Sequence, residues 1–139
     1  MRFGVSGTTK GATPAQKATL REIFRSAAAS ELAHGGAEGV DEEADAIFRS
    51  VKGTDAPVRV YPSTLRPEGN YQAPRFRDIP REPLTRNKII AQVADFMVIV
   101  PRQPVPIRRS GTWATYRYSL AAGKLTMVVL PDGQLRIAS

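Results

Sequence analysis

The chain has 139 residues, 42% hydrophobic and 24% charged, with no cysteine and a formal net charge of +7. One domain's length of ordinary globular composition excludes wholesale disorder, and the lack of cysteine excludes a disulfide framework and thiolate chemistry. The charge is concentrated, with 7 basic and 8 acidic side chains in residues 1–58 but 11 and 4 in residues 59–118, which suits a nucleotide phosphate, a polyanion or another anionic ligand.

Arg2 to Ser6 is a short apolar-rich strand that stops at Ser6-Gly7-Thr8-Thr9. Thr13-Pro14-Ala15-Gln16 then combines a cap, proline at the first helical position and glutamine three residues after the cap. Leu20, Ile23, Phe24 and Ala27 continue it as an amphipathic helix. Glu31 to His34 reads as a second strand. Val40, Ala44, Ile47, Phe48 and Val51 form the apolar stripe of a second helix, closed by Lys52-Gly53. Val58 to Tyr61 is a third strand.

Residues 62–83 carry prolines at 62, 67, 74, 80 and 83 and arginines at 66, 75, 77 and 81. A loop this long in a small domain is functional or disordered. Leu84 to Ala94 is helical through Ile89, Ile90 and Val93, and Phe96 to Val100 suits a strand buried on both faces. A second Pro/Arg loop, 101–110, leads into a helix through Gly111, Thr112, Trp113, Tyr116, Leu120 and Ala121 that closes near Gly123. Leu125 to Leu130 is another buried strand, Pro131-Asp132-Gly133 a turn, and Leu135 to Ala138 an edge strand. Strands alternating with helices predict one α/β domain over 1–139. Its form is Rossmann-like and three-layered, with a mostly parallel sheet of five or six strands. No apolar run reaches the ~20 residues that span a bilayer, and the N-terminus lacks a signal-peptide core, so a soluble cytoplasmic protein is expected.

In such sheets ligands sit outside the carboxyl ends of the strands. Three segments fall there: Ser6-Gly7-Thr8, Gly35-Gly36-Ala37-Glu38-Gly39 followed by Asp41, and Ser110-Gly111-Thr112. Glycine lets the backbone turn sharply and present N–H groups, and a helix N-terminus adds about half a positive charge, a combination that suits an anion. The alternative for the glycine loop is tight strand-to-helix packing. Arg86 and Asn87 open the helix after the long loop, and Arg86 is expected to contact phosphate. Arg108 and Arg109 precede Gly111 and are left open between ligand and surface. Asp41, Glu42, Glu43 and Asp45 read as a helix start complementing its dipole. His34 is the only histidine and reads as a packed strand-end residue, and with no Cys/His cluster no metal site is expected. Neither G-x-G-x-x-G after the first strand nor G-x-x-x-x-G-K-[ST] occurs.

The segments G-G-A-E-G-V-D-x-x-A at 35–44, L-T-R-N-K-I-I at 84–90 and S-G-T-W at 110–113 together resemble the SLOG superfamily. This Rossmann-like group includes the DNA-processing protein A fold, the lysine decarboxylase-like LOG nucleotide phosphoribohydrolases, and nucleotide-ligand sensors. The resemblance runs from Phe3 to Pro131 and implies a nucleotide-type ligand, with no further cofactor, and a homodimer. G-G-A-E-G-V-D with R-N-K-I-I is similar to the DNA-processing branch, which binds single-stranded DNA. The LOG motif P-G-G-x-G-T-x-x-E, by contrast, has Thr115 where its glutamate would stand, and threonine cannot serve as that carboxylate. Three functions follow in order: binding a nucleotide or nucleotide-derived ligand as a sensor or sequestering protein; cleaving a nucleotide N-glycosidic bond with Glu38 or Asp41 as the carboxylate; and binding single-stranded nucleic acid. For the last, residues 59–83 offer Tyr61, Tyr71 and Phe76 for stacking.

Overall fold

The computed structural model describes residues 1–138. Strand β1 (Arg2–Gly7) leads to α1 (Pro14–Arg25), β2 (Glu31–His34), α2 (Val40–Lys52), β3 (Val58–Val60), β4 (Phe76–Arg77) and α3 (Pro83–Val93). There follow β5 (Phe96–Val100), α4 (Gly111–Ala121), β6 (Leu125–Val129) and β7 (Leu135–Ala138). They form one seven-stranded sheet in the order β4-β3-β2-β1-β5-β6-β7. Every pairing is parallel except β6 with β7. The fold is therefore the expected Rossmann-like α/β architecture, with more strands than the five or six anticipated.

The added strand comes from the 62–83 segment, which is not a structureless loop. Its prolines prevent a long strand, yet two residues between them pair with β3, placing Arg59 beside Phe76 and Val60 beside Arg77. Farther along, Thr64 N–H donates to the Arg81 carbonyl at 2.9 Å and Arg81 N–H to the Pro62 carbonyl at 3.1 Å. Gly69 N–H reaches the Gly36 carbonyl at 2.9 Å, so the segment is tied to the glycine loop itself.

Local chemistry explains the helix starts. The Thr13 hydroxyl accepts the Gln16 N–H at 3.0 Å while Gln16 Oε1 accepts the Thr13 N–H at 2.9 Å, a reciprocal cap. Gln16 then buries its amide, donating to the carbonyls of Pro101 (2.8 Å) and Val129 (3.0 Å) and binding α1 to the ends of β5 and β6. Gly39, at φ +83, brings α2 against the β1 loop so closely that a Cβ would lie 2.5 Å from the Thr8 carbonyl oxygen. Only glycine meets both demands.

Two apolar layers cover the sheet. On one face Leu20, Phe24, Val40 and Phe48 pack on Val5, Leu32, Val58 and Val98. On the other Ile90, Ala94 and Trp113 pack on Ala33, Met97, Ile99 and Val128. Among the described residues no helix is long and apolar enough to cross a membrane.

Candidate functional site

The chain lays β2, β3 and β4 to one side of β1 and then crosses to place β5 on the other. The loops leaving β1 and β5 diverge at that switch, and a crevice opens between them. It has a volume of about 340 Å³, within the size range of small-ligand sites. Its wall joins Ser6, Gly7 and Thr8 from β1, Gly35, Ala37 and Asp41 from the glycine loop, Arg86 and Asn87 from α3, and Ser110, Gly111 and Thr112 from α4. Gly36, Glu38 and Gly39 are not part of it. Lys10, Arg66 and Arg102, which sequence reasoning did not assign to the site, and Arg109, which it left open between ligand and surface, also line it, as do the apolar Leu84 and Ile107. The density of arginine in both Pro/Arg loops was the signal for the three arginines, but only the fold shows that both loops reach one mouth.

The glycine loop presents its amides inward rather than to a ligand. Gly35 and Ala37 N–H both donate to Asp41 Oδ2, at 3.1 and 3.2 Å, and Gly36 N–H donates to His34 Nδ1 at 2.9 Å. Gly39 N–H donates to Glu42 Oε1 at 3.1 Å. The α2 carboxylates thus take the place that an external anion was expected to occupy. This wrapping turns Glu38 to the exposed surface, which corrects its candidacy as a carboxylate in the crevice. Asp41 stays in the wall, 6% exposed. Burial pushes its carboxyl above the ordinary Asp value, against the pull of His34 when protonated, of the Arg86 guanidinium, and of the Ala37 and Gly35 amides.

His34 is fully buried at the end of β2, as its sequence position suggested, and it has a partner that sequence alone did not reveal. Its Nε2 lies 2.7 Å from Asp45 Oδ2, whose Oδ1 accepts Arg49 Nε–H at 2.8 Å. The Gly36 amide at Nδ1 assigns the ring proton to Nε2. Asp45 is accordingly not a surface dipole group but the centre of a buried triad. Burial works against its ionised form, yet the hydrogen bonds from His34 and Arg49, with the charge of His34 when protonated and that of Arg49, outweigh it and hold the carboxyl below the ordinary value.

Arg86 is also more buried than expected, at 6% exposure. Nη1 donates to the carbonyls of Gly35 (2.6 Å) and Tyr61 (3.2 Å), and Nε donates to Asn87 Oδ1 (2.8 Å). Gly35 is what admits it, since a Cβ there would lie 2.1 Å from Nη1. The start of α3 offers little to an anion, because Glu82 accepts the N–H groups of Leu84 (3.2 Å) and Thr85 (3.1 Å).

The start of α4 is different. Ser110 Oγ takes only the Trp113 N–H, at 3.2 Å, leaving the Gly111 and Thr112 amides at a helix end without intrahelical acceptors. Arg109 stands beside them on the wall, whereas Arg108 lies outside it. Thr115 is fully buried and its hydroxyl donates to the Gly111 carbonyl at 3.0 Å, away from the crevice. Trp113 belongs to the core with its ring edge-on to Tyr116. The expected stacking aromatics are dispersed: Tyr61 is buried, Tyr71 packs edge-on against His34, and Phe76 lies under Arg59. Among the described residues no group of three or more His, Asp and Glu is arranged to hold a metal.

No protein-family model matches the sequence, and no curated protein matches it. Solved structures do share the fold. The molybdenum cofactor binding protein of Rippkaea orientalis is similar with a TM-score of 0.66 at 19% identity, over 91% of this chain and 74% of that one. The molybdenum cofactor carrier protein of Chlamydomonas reinhardtii gives a TM-score of 0.65 at 20% identity, over 91% and 74%. The structural-genomics target TM1055 gives 0.62 at 18%, over 90% and 71%.

Proposed function

We propose that this protein binds a nucleotide-type anionic ligand in the crevice between the β1 and β5 loops and serves as a carrier or sensor for it, as a member of the SLOG group. The observation that carries the reading is convergence. The start of α4, the Thr8–Lys10 loop and the cationic residues Lys10, Arg66, Arg102 and Arg109 all line one cavity of ligand size. Helix amides plus guanidinium groups form a phosphate site without any metal ion. Two of the fold neighbours are described as binding or carrying a molybdenum cofactor, which supports a role in holding a small ligand over one in processing it.

Thermal-shift and calorimetric titration with pyrophosphate, nucleoside monophosphates and the molybdenum cofactor tests this. A ligand that binds only the folded state raises the melting temperature by mass action. Saturable binding weakened by Arg109→Ala is expected. No response to any of these small anions, combined with salt-sensitive binding of single-stranded DNA, would refute the reading and transfer the function to the arginine-rich loops.

A further inference from the structure

The crevice holds one feature that anion binding leaves unused. Asp41 is a carboxylate in a wall that also carries Lys10, Arg66, Arg86, Arg102 and Arg109. A phosphate gains nothing from a carboxylate placed there.

The hydrogen bonds show which part of Asp41 is available. Both amide donors, Gly35 and Ala37, go to Oδ2. Oδ1 accepts nothing from the protein, and it is not sealed in either: among the described residues the only buried side-chain polar atom without a partner is Trp113 Nε1. Oδ1 therefore opens on the cavity that Asp41 lines. The same reasoning applies to Arg86. Its Nη1 and Nε are engaged by Gly35, Tyr61 and Asn87, and Nη2 is the part of the fork left for the cavity. The two side chains are neighbours across Gly35, where a Cβ would lie 2.1 Å from Arg86 Nη1 and 3.0 Å from Asp41 Oδ2. They nonetheless make no ion pair with each other. Each side chain is thus held by backbone at one atom, Asp41 at Oδ2 and Arg86 at Nη1, and each keeps a second atom, Oδ1 or Nη2, without a protein partner.

We infer that Asp41 and Arg86 form a base-reading edge for a guanine-type ring, with Asp41 Oδ1 accepting from the adjacent ring N–H and exocyclic amino group and Arg86 Nη2 donating to the ring carbonyl. When ionised, the carboxylate has two lone-pair directions at Oδ1 and no donor, so it matches two neighbouring N–H groups, and their donation favours the charged form that burial disfavours. Adenine offers one donor there, followed by an acceptor. Leu84 and Ile107 in the wall supply apolar surface for the ring's faces. This assignment rests on the nucleotide-binding reading of the crevice and makes Asp41 its specificity residue.

Calorimetric titration of the wild-type protein with GMP, IMP, AMP and pyrophosphate at one salt concentration tests it, with the same series repeated on Asp41→Asn. Charge-assisted hydrogen bonds in a buried site correspond to a preference of about tenfold or more for GMP over AMP, with IMP between them. Asn presents an amide to the cavity, so Asp41→Asn should erase that preference, while pyrophosphate, which carries no ring, should bind at least as tightly as to the wild type because a negative charge has left the cavity. Equal wild-type affinities for GMP and AMP, with pyrophosphate still bound, would overturn the base-reading edge and leave the anion site standing. Failure of pyrophosphate and all three nucleotides to bind would instead remove the nucleotide reading, and the edge with it. The wild-type series decides the question even if the variant fails to fold.

Discussion

Gly35→Ala isolates the contribution of the close approach between the glycine loop and Arg86. The backbone there is not in the left-handed region, so the substitution acts through space alone. The new Cβ would lie 2.1 Å from Arg86 Nη1 and 2.7 Å from Cζ, and the guanidinium must withdraw. Withdrawal breaks the bonds from Nη1 to the carbonyls of Gly35 at 2.6 Å and Tyr61 at 3.2 Å. Two charge-assisted bonds at ~1.5–3 kcal/mol each, less what water in the crevice restores, give a loss of about 3 kcal/mol. For a domain of this size that is a fall of roughly 10 °C in Tm. The assay is urea unfolding of Gly35→Ala, Arg86→Ala and the double variant. If the cost acts through Arg86, the double variant is little worse than Arg86→Ala, with a coupling of at least ~1.5 kcal/mol. Costs that add to within ~0.5 kcal/mol would mean that the glycine acts independently of Arg86, and the proposed contact would fall.

Arg102→Ala and Arg109→Ala remove exposed cations from the rim, so each should weaken pyrophosphate binding about threefold at low salt and flatten its salt dependence, as read by titration at several ionic strengths. Asp45→Asn leaves His34 and Arg49 without their shared carboxylate and should cost about 3 kcal/mol at pH 7 by urea unfolding. The sign with pH follows from the folded-state shifts. Asp45 is held low, so its stabilisation is present above the ordinary Asp value of about 4 and is lost as pH falls through the folded value. Asp41 is pushed up, so its contribution is present below about pH 4 and is lost as pH rises through its folded value. Stability measured against pH should therefore show a shallower acid limb in Asp45→Asn than in the wild type. Gln16→Ala strands the carbonyls of Pro101 and Val129, which should cost about 2 kcal/mol in chemical unfolding and loosen the 101–110 loop, read by hydrogen exchange.

Element order and type were legible because apolar periodicity is local: the stripe Val40, Ala44, Ile47, Phe48 and the run Phe96–Val100 each encode their burial without reference to the rest of the chain. The capping box at Thr13 was legible for the same reason. What stayed hidden is non-local. Phe76–Arg77 becomes a strand only because β3 presents an open edge to it, and nothing in five scattered prolines announces that pairing. Likewise Asp41 and Asp45 looked like a helix start complementing its dipole, a correct description of where they lie in sequence. Their actual partners, the Gly35 and Ala37 amides and His34, come from the preceding strand end, and only the fold brings that strand end over α2. The four rim cations were visible as charge but not as a cluster, since Lys10, Arg66, Arg102 and Arg109 come from three separate loops.

Under the proposed function, the inward-facing glycine loop changes how affinity and selectivity would divide within the crevice. Had the Gly35–Ala37 amides faced outward, one backbone cradle would have served both, and any anion fitting it would bind. With those amides held by Asp41 and His34, the proposed function would place charge neutralisation on the α4 amides and the exposed rim arginines, where it is tunable by salt and tolerant of the ligand's identity. On the inference above, discrimination would be left to the two buried groups, Asp41 and Arg86, each fixed by contacts to the backbone. Buried polar groups penalise a ligand that fails to satisfy them far more than exposed ones do. Rim substitutions should therefore weaken all anions together, whereas neutralising Asp41 should reorder the ligands that carry a ring without weakening those that do not.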